Sequence, residues 1–166
     1  MYRNIDDFIN EWAYESESTL KVFRNITSEV LNKKDHENVR SMARLTWHVT
    51  ITLSEMLNKG GLQVSGPDEH SQPPATIEEI ISAYENSAKS VSEQVKKTWT
   101  DANLGEEVNM YGENWKKGTI LNVLIKHQAH HRGQLTILMR QAGLKVPGVY
   151  GPAKEDWALW NMPAMD

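Results

Sequence analysis

The segment TILNVLIKHQAHHRGQLTILMRQA, residues 119–142, decides how this chain is read. Ile120, Leu124, His127, His131, Leu135 and Leu138 recur in it at steps of four, three, four, four and three, the spacing of one buried helix face. The segment predicts a helix over 119–142, stopped at Gly143, with two histidines on its core-facing stripe. At an i, i+4 separation their Cβ atoms are about 5–6 Å apart, so both imidazoles reach one ion from a rigid backbone. Histidines on an apolar face also occur as ordinary packed core, and the spacing of this pair leaves both readings open.

Three further segments carry the same period. Ile5, Phe8, Ile9, Trp12, Ser16, Leu20, Phe23, Ile26 and Val30 predict a first helix. A second starts from Asp35 as N-cap and runs through Val39, Met42, Leu45, Val49, Leu53 and Met56 to a stop at Gly60-Gly61. The third opens with Thr76 three residues before Glu79, a capping-box arrangement, and continues through Ile77, Ile80, Tyr84, Ala88, Val91 and Val95 towards Trp99. Only Val108-Asn109-Met110-Tyr111 with Gly112 hints at an extended piece. Four long amphipathic helices predict an all-α fold, a four-helix bundle. The short Lys33–Asp35 link predicts a tight turn and makes helices one and two antiparallel neighbours. The 17 residues from Lys59 to Ala75 contain Gly66-Pro67 and Pro73-Pro74. Such a segment extends up to ~55 Å against ~35 Å for a 23-residue helix, so it serves as a long crossover connection that sets helices two and three parallel. One domain over residues 1–166 is expected, with a C-terminal tail from about residue 144.

Composition narrows the chemistry. The chain has 18 basic and 22 acidic residues, a net charge of −4 and no cysteine. Disulfides, thiolate metal sites and a cysteine nucleophile are excluded, and any metal must be held by nitrogen and oxygen. A sequence pI near 5.9 offers phosphates no basic stripe, so nucleic acid is an unfavourable partner. No apolar run reaches the length of a membrane span, and residues 1–7 lack the pattern of a signal peptide. The expectation is a soluble cytoplasmic protein with no membrane partner.

A third candidate ligand is His48, at the same height in the second helix as His131 in the fourth, on the edge of its buried stripe. An edge position suits an ion reached from a cleft. His36, His70 and His130 are expected to face solvent or to act only locally.

The run His127-x-x-x-His131-Arg132-Gly133-Gln134, with a lone histidine in Leu45-Thr46-Trp47-His48, resembles the DinB/YfiT-like superfamily of metal-dependent enzymes. The tail from Val146 to Trp157 is similar to endings seen in DinB proteins. The resemblance implies a four-helix bundle with one crossover, a homodimer, and a three-histidine site for one divalent ion, zinc or nickel. Carried over residue by residue, the metal ligands are His48, His127 and His131. Some members of that superfamily act with low-molecular-weight thiols such as mycothiol or bacillithiol, and no single reaction is common to all.

Three neutral imidazoles leave a coordination position open, as in catalytic rather than structural zinc sites. A dication favours the deprotonated form of a thiol bound there, and a chain without cysteine must take that sulfur from a cosubstrate. The same ion holding water would give hydrolysis, and the residues leave both open; metal-dependent transfer to or from a low-molecular-weight thiol, acting on a small-molecule substrate, is the leading expectation because the resemblance implies it. A non-catalytic metal- or small-molecule-binding stress protein is the alternative, and a metal-dependent hydrolase the third. Around the ligands, Glu55 and Arg132 are candidate catalytic groups, with surface solvation and a bond to a neighbouring helix as their structural alternatives. Gln134 is placed to accept from a ligand imidazole N–H. The tail tryptophans, Trp157 and Trp160, are expected to fold back over the bundle or onto a second subunit.

Overall fold

A computed structural model describes residues 1–34 and 36–164. The main elements are α1 (Ile5–Phe23), α2 (Met42–Lys59), α3 (Ile77–Thr98), β1 (Glu107–Met110), β2 (Glu113–Lys116) and α4 (Lys117–Gln141), with short 3-10 turns at Ser28–Val30, Asp101–Gly105 and Lys154–Trp160. Each long helix follows from its pattern. Asn4 caps α1 by accepting from the amides of Asp6 and Asp7, and Thr76 and Glu79 form the expected capping box at α3.

The first connection differs from the expected tight turn. α1 ends at Phe23 instead of Val30, and α2 begins at Met42. Asn25 donates to the carbonyl of Lys21 at 2.9 Å, and Asn25-Ile26-Thr27 is a run of weak helix formers. Ile26 is nevertheless buried and Val30 packs partly buried against the core, so loop side chains continue the apolar period beyond the helix that it seemed to define. Ser41 is the N-cap of α2, its hydroxyl accepting from the amide of Arg44 at 3.2 Å. Asp35, the expected cap, lies outside the described residues.

Contacts along the helices give their directions. The amide of Tyr2 donates to Gly118 O at 3.0 Å, while Glu15 and Thr19 meet Arg132, so α1 and α4 run parallel. Trp12 donates to Ala88 O at 3.0 Å and Phe23 packs edge-on to Tyr84, which sets α3 antiparallel to α1. His48 meets His127 and His131, while Gly60 faces Ile120, so α2 opposes α4. The crossover retraces α2: Asn58 is bonded to Val64, Gly66 lies against Ser54, and Trp47 donates to Ser71 O at 3.1 Å. α3 therefore starts beside the beginning of α2 and runs parallel to it, as the connection length predicts. The order is up, down, down, up. α1 and α2 have opposite directions but occupy opposite corners, each packing mainly on α3 and α4; the expected neighbour relation between them is corrected.

The extended hint at residues 108–112 is one arm of a β-hairpin. β1 pairs antiparallel with β2, Val108 opposite Trp115, through a two-residue turn with positive φ at Tyr111 (56°) and Gly112 (91°). At the head of α4, a Cβ on Gly118 would collide with Tyr2 O, so glycine lets the N-terminal strap close on the bundle. The tail folds back along α1 and α4. Tyr14 donates to Val149 O, Lys21 to Gly148 O at 2.7 Å, and Arg140 pairs with Glu155. No helix among the described residues is long and apolar enough to cross a membrane.

Candidate metal centre

α4 meets α2 through His127 and His131, one turn apart on one face, and His48 approaches from the facing turn of α2. His127 Nε2 lies 3.2 Å from His48 Nε2 and 3.1 Å from His131 Nε2. One donor nitrogen from each of the three falls within 4.8 Å of the others. The structure thus brings together the three histidines singled out in the sequence.

Neighbouring groups decide which nitrogens are free. His131 Nδ1 donates to Gln134 Oε1 at 2.7 Å, which leaves the lone pair on Nε2. The amide nitrogen of Gln134 is bonded to His130 Nε2 at 3.0 Å, an arrangement consistent with its oxygen facing His131. Thr52 uses its hydroxyl proton on Val49 O at 3.1 Å, so its oxygen faces His127 Nδ1, at 3.5 Å, as an acceptor. With both Nδ1 atoms protonated, the contact between His127 and His131 sets two Nε2 lone pairs 3.1 Å apart. Two lone pairs at that distance repel, whichever tautomer His48 adopts, and a cation between them turns the repulsion into attraction. Nitrogens about 2.0–2.1 Å from a shared tetrahedral zinc ion sit roughly 3.3–3.4 Å from one another, close to the 3.2 and 3.1 Å that separate His127 Nε2 from its two neighbours.

The electrostatics keep these rings neutral. Burial first, then the charges of His131, Arg40 and Arg44, lowers the His48 pKa to about 4. His127 is lowered to about 3, again chiefly by burial and then by its histidine neighbours. His131 is also lowered by burial, against the opposing effect of its bond to Gln134. Neutral imidazole is the form that ligates a metal.

Beside His131 opens a cavity of about 630 Å³, walled by Leu45, His130, Gln134, Ile137 and Leu138, with Arg40 on its rim. Gln134 is therefore where its spacing placed it. The two candidate catalytic groups are not. Glu55 lies two helical turns, about 10 Å, beyond His48, and its carboxylate accepts from the Tyr111 hydroxyl at 2.7 Å. Arg132 is 3 % exposed and turned to α1, where it pairs with Glu15 and donates to Glu15 O and to Thr19 Oγ1, each at 3.0 Å. The Tyr150 hydroxyl from the tail closes this cluster on both Glu15 oxygens at 2.8 Å. Both groups are spent on holding elements together, the structural alternative for Arg132. His36 and His70 are exposed, as expected.

Thr52, Glu15 and Arg40 were not singled out from the sequence. Thr52 follows His48 by four residues on the same helix side, and Glu15 falls on the exact period Phe8, Trp12, Glu15, Thr19, Val22, so both had a spacing signal. Arg40, in a loop, had none.

An up-down-down-up helical bundle with a convergent histidine triad defines a class of candidate single-ion metalloproteins. The sequence profile of the DinB family matches residues 1–164, and the chain belongs to the DinB family. It is 35% identical over 164 residues to the uncharacterized protein YrdA of Bacillus subtilis (strain 168), covering 99% of this chain and 98% of that one. A crystal structure of a DinB-like protein from Bacillus cereus ATCC 10987 matches with a TM-score of 0.86 at 35% identity, covering 90% of this chain and 100% of the other. The DinB-like protein YjoA of Bacillus subtilis shares the fold at a TM-score of 0.66 and 16% identity, over 89% of this chain and 99% of that one.

Proposed function

We propose that His48, His127 and His131 hold one divalent ion, zinc or nickel, and that the protein is a metal-dependent transferase using a low-molecular-weight thiol. The observation that carries this reading is the pair of facing Nε2 lone pairs beside an open cavity. Such an ion supplies Lewis acidity that favours the deprotonated form of a thiol. The chain's own residues do the positioning. Gln134 and Thr52 fix the ring orientations, and Leu45 and Leu138 give the cavity beside His131 an apolar wall. The chain has no cysteine, so the reacting sulfur arrives with a cosubstrate.

The test begins with metal analysis of untagged protein. About one zinc or nickel ion per chain is expected in wild type and a loss of it in H127A and H131A; less than about one-tenth of an ion in metal-supplemented wild type defeats the reading. Metal-loaded protein is then incubated with a small thiol and a chromogenic electrophile. Turnover that persists in both histidine variants would place the chemistry elsewhere, and metal binding without turnover would leave a binding protein.

A further inference from the structure

The cavity beside His131 does not end at its rim. A second hollow of about 410 Å³ adjoins it, and the two share Asn38, Val39 and Arg40. Lys34, Arg40 and Arg44 line this outer hollow, with Glu37 the one carboxylate among its described lining residues. Among the described residues, none of these three cations is engaged in an ion pair, whereas Arg24, Arg132 and Arg140 each hold a glutamate. Three cations without an ion pair among the described residues thus gather at one mouth in a chain of net charge −4.

The inner part of the cavity has the opposite character. Val39, Leu45, Ile137 and Leu138 line it, and Ile137 is 61% exposed, with its side chain open to the hollow. An apolar wall next to a basic rim recognises an amphipathic solute, the wall taking its hydrocarbon and the guanidinium groups its anionic end.

We infer that the substrate of the histidine site is a small organic anion, held at its charged end by Arg40 and Arg44 and lying with its apolar body along Ile137 and Leu138. This rests on the proposal that the histidine cluster is the reactive centre, since it is that cluster which the apolar body would approach. Carboxylate and phosphate share the chemistry that the rim recognises, and both fit a guanidinium fork.

Calorimetric titration of the full chain, metal-free and zinc-loaded, with octanoate, octyl phosphate, octanol and octylammonium tests it. Either anion is expected to bind at least about tenfold more tightly than octanol, with octylammonium weakest, and the tighter of the two anions names the headgroup. R40Q is expected to lose about tenfold in anion affinity and R44Q a smaller factor, both with wild-type circular dichroism, while R40K recovers part of the loss. I137D is expected to weaken octanoate and to abolish the gain in affinity from butanoate to octanoate. Equal binding of octanoate and octanol, no binding of either anion, or unchanged affinity in both R40Q and R44Q overturns the inference. Zinc stoichiometry is measured on the same samples. Zinc bound normally without anion selectivity rejects the anion site alone, and selective anion binding in protein that takes up no zinc rejects the metal reading alone.

Discussion

Gln134 makes a bond to a candidate ligand that a surface amide would have no reason to make. It holds His131 Nδ1 at 2.7 Å, so Q134A frees the ring to rotate and to change tautomer. A weakening of zinc affinity by about 10–100-fold is expected from competition titrations, with helicity unchanged. The same rings predict a pH response in the metal-free protein. In the unfolded chain histidine takes up a proton near pH 6.5, whereas folded His48 does so near 4 and His127 near 3. Across that interval the unfolded state binds more protons, so stability is complete above about pH 6.5 and falls as pH drops towards 4. Urea midpoints measured from pH 7.5 to 4.5 should decline in wild type and decline less in H48Q/H127Q; parallel curves would contradict the assignment. At this scale the sequence was legible wherever a helix supplied the ruler. His127, His131 and Gln134 share one helix, and His48 could be placed by its height in another. Arg132 was ambiguous because its partner Glu15 is 117 residues away, and spacing marks a buried position without saying what lies opposite it.

Helix existence was clear from apolar period, and helix ends were not. α1 seemed to extend to Val30 because Ile26 and Val30 pack on the core from a loop that runs in phase with the helix before it. A cap fixes such a boundary better than a stripe does. Ser41 holds the first turn of α2 by accepting the Arg44 amide, so S41A is expected to cost about 1 kcal/mol in chemical denaturation. A cost near zero would mean that packing alone defines the start of α2. The hairpin was faint for a related reason: each strand has only four residues, too few for alternation to stand out. Its clearest mark is Gly112, required by a turn in which both central residues have positive φ.

The whole molecule places its four helices so that α4 touches both α1 and α2, which do not closely touch each other. The long crossover was readable from its length, because a chain that travels back along α2 must start α3 in the same direction. The corner positions were not readable, since a loop of unknown shape between α1 and α2 permits either an adjacent or a diagonal arrangement. A cation held by α2 and α4, as proposed, would tie these two helices together. Zinc at about 100 times its Kd should therefore stabilise the fold by about 2.7 kcal/mol. For a chain of this length that corresponds to a rise in Tm of roughly 5–11 °C, measured by calorimetry with and without chelator. No rise would show that the ion does not engage the folded state. On α4 itself, Gln128 and Arg132 alternate with His127 and His131, one residue out of step, and reach into the core and to α1 respectively. The buried Glu15–Arg132 pair thus works like a key in a slot for the rod beside it. Turning that rod to suit an ion of another radius would tear the key out, so retuning selectivity by design has to begin from α2 and leave α4 where it is.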